Sequence, residues 1–135
     1  MCALLTEPPE RGPSILMTDH VVAVVPERMR TWGAVVIAPR RHVRNASELT
    51  DDEARDTALV LRRVLVAIES ALDPDGVNVW WATGVLADQP IEHLLVEAVP
   101  RWEGTPYQYA AWSAIPSARL SRRTELASLL RARLA

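Results

Sequence analysis

The chain has only three histidines, and one of them, His93, shares a predicted strand with a carboxylate, Glu97. His93 and Glu97 are four residues apart, so both side chains project from the same face of an extended segment, with Leu95 between them. The two polar groups then lie about 13 Å apart along the strand, too far to contact each other. An imidazole and a carboxylate in one cleft can act as general acid and general base, which is the chemistry that these residue types permit.

Composition narrows the classes of partner. A net charge of −2 gives no basic surface for a phosphate backbone, so nucleic acid is not expected. No apolar run approaches the roughly 18 residues of a membrane span. The amino terminus also has no secretion-signal pattern, which favours a cytoplasmic protein. Cys2 is the only cysteine and the three histidines are dispersed, so neither a disulfide, a metal nor a cofactor is expected.

The elements that must position these residues describe an α+β domain. Short apolar and β-branched runs, some closed by proline, predict strands at 15–18, 20–25, 34–38, 77–81 and 91–99. Strands on either side of one long helix, joined by short connections, indicate an antiparallel sheet. The expected organisation is a flexible arm at 1–13, a domain at 14–116 and a C-terminal helix at 117–135, whose arginines should form a solvated face.

The long helix is the clearest local prediction. Thr50 and Glu53 form a capping box, and the turn at 73–76 should end the helix. Spacings of four and three predict that the packing stripe consists of Ala54, Ala58, Leu61, Leu65, Ile68 and Leu72.

Several segments, in the right order and with matching spacing, resemble the histidine-triad (HIT) family. Residues 33–42 resemble its strand followed by Pro, a basic residue, any residue and His. Residues 89–101 resemble its Gln-x-apolar-x-His-x-His-x-His run with Pro-Arg after two apolar residues. Segments 47–53 and 75–78 resemble its helix entry and its turn into the next strand. The resemblance, over roughly residues 15–101, implies an antiparallel sheet with one long packed helix and a pocket that binds a nucleoside phosphate.

Carried over position by position, the resemblance implies an altered triad. In the family the middle histidine attacks phosphorus and forms a nucleotidyl-enzyme. Here the first position is His93, the middle one Leu95 and the third Glu97, while a supporting upstream histidine matches His42. Because a leucine side chain has no lone pair, it cannot form a phosphoramidate, and covalent catalysis at that position is not expected.

The phosphate-binding loop departs from the family as well. Ala82 stands where an Asn is expected, Asp88 where a Gly is expected, and Pro90 where Ser is frequent. A carboxylate at Asp88 repels an anion, and Pro90 removes an amide donor. The ribose-binding acid of the family falls on Pro26, with Glu27 adjacent.

The resemblance also implies a homodimer. In the family the dimer forms by extending the sheet or by pairing the long helices, and Val60, Val64 and Ala67 give this helix a second apolar side for such pairing. Trp80 and Trp81 are adjacent, so their side chains should point to opposite faces of the sheet.

Three functions stay open from the sequence. The first is a small-molecule-binding protein without a nucleophile, with a ligand site formed by Asn78, Trp81, Asp88, Gln89 and Leu95. The second is an enzyme in which His42, His93 and Glu97 perform acid–base chemistry, as a lyase, isomerase or hydrolase, on a non-nucleotide substrate. The third is a divergent nucleotide hydrolase that uses water, ranked last because its substrate contacts are altered too.

Overall fold

A five-stranded antiparallel sheet with helices on one face forms the framework of the described chain. The computed structural model describes residues 12–89, 91–105 and 112–134. The strands are β1 (Ser14–Met17), β2 (Val21–Val24), β3 (Val35–Pro39), β4 (Gly76–Trp81) and β5 (Val96–Arg101), and the helices are α1 (Asp51–Leu72) and α2 (Leu120–Arg131). The strand order is β1-β2-β3-β5-β4, and every neighbouring pair is antiparallel. The predicted α+β class with an antiparallel sheet is confirmed.

Both faces of the central strands are buried, which explains their continuous apolar sequences. Side chains that alternate along β2 and β3 divide between two clusters. One lies under the helices and includes Ala23 and Ile37. The other, here called the outer cluster, lies on the opposite face and consists of Val22, Val24, Val36, Ala38 and Leu95.

Helix α1 begins as predicted but packs through a different stripe. The Thr50 hydroxyl accepts from the Glu53 amide at 3.2 Å, and the Glu53 carboxylate accepts from the Thr50 amide at 2.9 Å. The buried residues are Glu53, Thr57, Val60, Val64, Ala67 and Ile68. The predicted stripe was therefore wrong by about one residue, because smaller and β-branched side chains face the sheet while the larger leucines flank it. Consequently Val60, Val64 and Ala67 belong to the core and offer no dimer surface.

Strand β5 begins later and ends later in the sequence than predicted. It begins at Val96, whereas His93 to Leu95 precede it in a bend held by the Leu94 amide, which donates to the Val43 carbonyl at 2.7 Å. Pro100 lies within the strand and does not close it. Strand β3 pairs only with Val96 to Ala98, so the ladder on that side has ended before Pro100 and needs no amide from it.

Helix α2 completes the core, and one of its arginines is buried. Leu126, Ala127 and Leu130 join the cluster under α1. Arg123 donates to the Val25 carbonyl from Nε at 3.2 Å and from Nη2 at 3.0 Å. Burial lowers the pKa of Arg123 from its usual value. The predicted fully solvated arginine face was therefore wrong at this position. No helix in the described ranges is long and apolar enough to cross a bilayer.

Candidate functional site

The structure brings the two predicted site histidines together. His42, in the connection after β3, is exposed, whereas His93 is 4% exposed. Their ring centroids are 5.5 Å apart, and the ring planes meet at 73°. The Nε2 atom of His93 lies 2.7 Å from the Pro39 carbonyl oxygen. Because a carbonyl can only accept, Nε2 carries the proton, and in the neutral ring Nδ1 carries the lone pair.

The Glu97 carboxylate pairs with an arginine and not with the two histidines. It accepts from Arg30 Nε at 2.7 Å and from Arg30 Nη2 at 3.3 Å. The two side chains are only 5% and 7% exposed, with Arg30 the first. This fork-like pair ties the Glu97 carboxylate to the connection between β2 and β3. The predicted set of two histidines and one carboxylate is therefore divided between two separate arrangements. Nothing in the sequence pattern singled out Arg30.

Two tryptophan rings lie within 6 Å of the Arg30 guanidinium. Its central carbon is 5.6 Å from the ring centroid of Trp80 and 5.8 Å from that of Trp112. Trp80 is the register partner of Glu97 and shares its face. Trp81 alternates with Trp80 onto the side where Val79 packs under the helices, and it is 43% exposed. The structure thus places Trp80 beside Glu97, whereas Trp81, which was predicted to bind a ligand, lies on the other face of the sheet.

Leu95 lies in the outer cluster, where it is 4% exposed. Met17, Ile91 and Trp112 pack against the same cluster from its edges. The position that the HIT resemblance equates with a nucleophile is therefore surrounded by aliphatic and aromatic groups.

A cavity of about 260 Å³ adjoins the outer cluster. Its walls are formed by Val24, Pro26, Glu27, Arg28, Val36, Ile91 and Trp112. The segment after Trp112 is fastened to the connection that follows β2, because Arg28 donates to the Ile115 carbonyl and the Ala118 amide donates to the Glu27 carbonyl at 2.7 Å. Arg28 was not identified from the sequence, since its role depends on a contact between distant segments.

The remaining predicted ligand-binding residues make contacts within the protein. Asn78 Oδ1 accepts from Arg101 Nε at 2.6 Å. Gln89 donates from Nε2 to the Arg44 carbonyl at 2.6 Å and accepts on Oε1 from the Gly84 amide at 2.8 Å. Asp88 has a left-handed backbone, with φ of 58°, at the end of the short 3₁₀ helix Val85–Ala87. Pro90 lies outside the described residues.

Among the residues that the structure describes, no group of three or more His, Cys, Asp or Glu side chains is placed to hold a metal ion.

Comparison with known protein families shows to which family the chain belongs. The family model of the HIT domain matches residues 11–103. The chain belongs to the HIT family. An uncharacterised HIT-like protein of Saccharolobus solfataricus is 28% identical over 102 residues, which are 76% of this chain and 73% of that protein. The bis(5'-adenosyl)-triphosphatase of Dictyostelium discoideum is 30% identical over 69 residues, or 51% of this chain, and the match covers only 46% of that enzyme.

A solved HIT structure matches the whole architecture. The crystal structure of a hypothetical histidine triad nucleotide-binding protein from Sulfolobus tokodaii strain 7 superposes with a TM-score of 0.80. The superposition covers 97% of this chain and 88% of that one, at 23% identity. At that level of identity the likeness establishes the HIT fold and no more.

Proposed function

We propose that this HIT protein binds a small molecule non-covalently and forms no nucleotidyl-enzyme. The observation that carries the proposal is the position of Leu95 inside the outer cluster, next to the 260 Å³ cavity. A leucine has no lone pair with which to attack phosphorus. Val24 and Val36 of the same outer cluster line the cavity and make that wall apolar, which favours binding of apolar ligand surface.

The walls of this cavity favour a ligand with one uncharged ring system. Val24, Val36 and Ile91 provide aliphatic contacts, and Trp112 provides an aromatic face on which a ring can stack. HIT relatives include an enzyme named for a dinucleoside triphosphate substrate, so a nucleoside is the natural first probe. The carboxylate of Glu27, which lines the cavity, disfavours a phosphate on that nucleoside.

Titration calorimetry with adenosine and AMP tests the proposal. Adenosine should bind more tightly than AMP, and Trp112→Ala should weaken adenosine binding about tenfold through loss of the stacking face. Trp32→Ala is the matched control, because Trp32 is also partly exposed but contacts Arg122 and does not line the cavity. Tighter binding of AMP, or a labelled nucleotide attached covalently to the protein, would contradict the proposal.

We propose further that the protein is a homodimer joined through β4. Within the described part of the chain this strand lies at the edge of the sheet, and it has a partner on one side only. An unpaired edge presents a row of amides and carbonyls that a second copy can satisfy. The exposed ring of Trp81 at the end of β4 adds apolar area to such a contact. Light scattering at micromolar concentration should give twice the mass of one chain, and a monomer would contradict this proposal.

A second candidate is an acid–base enzyme that acts on a non-nucleotide substrate. The edge-to-face pair of His42 and His93 favours it, since an exposed imidazole beside a buried one can relay a proton. Glu97 contributes little to this candidate, because its carboxylate is engaged by Arg30. If activity on a small molecule is found, it should be lost in His42→Ala and largely retained in Glu97→Gln wherever that variant stays folded. A divergent nucleotide hydrolase that uses water is the remaining alternative, and release of AMP from a dinucleoside polyphosphate would be its signature.

A further inference from the structure

A second cavity, of about 360 Å³, lies between two connecting segments on the other side of Ile91. One segment is the connection between β3 and α1, which contributes Arg44. The other is the connection between β4 and β5, which contributes Thr83, Val85, Gln89 and Glu92. Ile91 lines both this cavity and the 260 Å³ cavity, so the two are neighbours separated by one side chain.

The cavity is pre-formed because one amide side chain fastens its two walls together. Gln89 donates to the Arg44 carbonyl at 2.6 Å, and it accepts from the Gly84 amide at 2.8 Å. The Gln89 amide itself donates to the Gly84 carbonyl at 3.2 Å, which closes the 84–89 turn. These bonds hold the spacing of the walls before any ligand arrives, which lowers the entropic cost of binding.

Two opposite charges line this cavity without neutralising each other. The Arg44 guanidinium and the Glu92 carboxylate are both exposed. Within residues 12–89, 91–105 and 112–134, neither group makes a hydrogen bond or an ion pair. Both charged groups are therefore available to pair with a ligand. The aliphatic side chains of Val85 and Ile91 supply apolar wall beside them.

We propose that this second cavity binds a zwitterionic small molecule of the amino-acid class with an apolar side chain. The ligand carboxylate pairs with Arg44, the ligand ammonium pairs with Glu92, and the apolar side chain contacts Ile91 and Val85. A ligand with only a negative charge would be attracted by Arg44 and repelled by Glu92. A ligand with only a positive charge would be attracted by Glu92 and repelled by Arg44. Only a ligand with both charges uses the whole site, so the charge pair provides specificity as well as affinity.

Calorimetry near neutral pH with three matched probes tests this proposal. L-leucine carries both charges, 3-methylbutylamine lacks the carboxylate, and 4-methylpentanoate lacks the ammonium. We expect leucine to bind at least tenfold more tightly than either analogue. Equal affinities for the three probes, or no heat from leucine at concentrations of tens of millimolar, would overturn the proposal.

Variants locate the binding and separate it from the proposed function. Arg44→Gln and Glu92→Gln should each raise the Kd of leucine at least tenfold, whereas Arg62→Gln, an exposed arginine on α1, should leave it unchanged. Both test residues are exposed, so folding should persist, and thermal melting checks this. Trp112→Ala should weaken adenosine binding and leave leucine binding intact, so that failure at either cavity is distinguishable from failure at the other. Unchanged leucine affinity in both glutamine variants would refute the assignment.

Discussion

Arg30 and Glu97 form a two-pronged ion pair on the face of the sheet away from the helices, with Nε to Oε2 at 2.7 Å. The Glu97 carboxylate would otherwise face the outer cluster and the cavity. With its lone pairs engaged by a guanidinium, it serves as an anchor for the connection between β2 and β3. The same guanidinium also lies within 6 Å of the Trp80 and Trp112 rings, so Arg30 contacts both the third triad position and Trp112, which lines the cavity.

Breaking this ion pair should destabilise the protein strongly. Glu97→Gln leaves the buried Arg30 charge without its carboxylate, and losses of this kind are about 3–5 kcal/mol. The free energy of unfolding from urea denaturation measures the effect. Arg55→Ala removes an exposed pair with Asp52 and should cost less than about 1 kcal/mol. A Glu97→Gln variant as stable as Arg55→Ala would show that the pair is unimportant.

Replacing Leu95 by histidine should not create a nucleotidyl transferase. Leu95→His places an imidazole among aliphatic side chains, and we expect a loss of about 2–3 kcal/mol of stability. No phosphoramidate hydrolysis is expected, because the altered loop residues Asp88 and Pro90 remain. Leu95→Met is the matched control and should cost less than about 1.5 kcal/mol. Turnover by Leu95→His at rates typical of enzymes would mean that only the nucleophile had been missing.

Stability should fall in acid because of Glu53. Hydrogen bonds from Arg41 lower the pKa of Glu53 to about 2 from its usual 4.5. A depressed pKa in the folded state contributes stability above about pH 4.5, and this contribution is lost as the pH falls toward 2. Unfolding free energies measured across that range should decline more steeply in the wild type than in Glu53→Gln.

Glu53→Gln also separates the contribution of Glu53 to the cap of α1 from the contribution of its charge. At neutral pH Glu53→Gln should cost about 1–2 kcal/mol, because the bonds to Arg41 and to the Thr50 amide are weakened. Asp52→Asn, on the same helical turn but exposed, should keep the steep decline. Identical pH profiles for the wild type and Glu53→Gln would exclude Glu53 as the cause.

Gly33 should tolerate no side chain. Its φ of +92° is unfavourable for any other residue, and a Cβ there would overlap Leu72 Cδ1 and approach Pro100 Cγ to 3.1 Å. We expect Gly33→Ala to lose about 2–4 kcal/mol from strain and overlap. Gly76→Ala is the control, since nothing lies within 4 Å of its added methyl group. Equal melting temperatures for the two variants would contradict this expectation.

Local rules predicted most of the framework, and they failed where distant segments meet. The capping box at Thr50 and the strand ended by Pro39 depend on neighbours in sequence, and both were predicted correctly to within a residue. The packing stripe of α1 was misplaced because the apolar spacing fits two adjacent faces, and only the sheet selects Val60 and Val64. The burial of Arg123 depends on the Val25 carbonyl, 98 residues away, which no periodicity reveals.

The site was predicted in part for the same reason. The proximity of His42 and His93 was expected from the resemblance to the HIT family, and the structure has it. The engagement of Glu97 by Arg30 was not expected, because Arg30 lies in a polar connection with no distinguishing pattern. Trp81 stays a predicted ligand-binding residue, whereas Trp80 is the ring beside Glu97. The alternation of β4, in which Val77 and Val79 pack under the helices, was the signal that could have assigned the two rings.

The attachment of α2 to the first strands has a consequence for how the chain is synthesised. Arg131 donates to the Ser14 carbonyl, Arg123 to the Val25 carbonyl, and Leu130 fills the core beside Ile15. Strand β1 leaves the ribosome before α2, the helix that packs on it and that emerges about a hundred residues later. Until then the apolar face of β1 is uncovered by α2, and nascent chains stalled before Leu120 should require a chaperone to stay unaggregated.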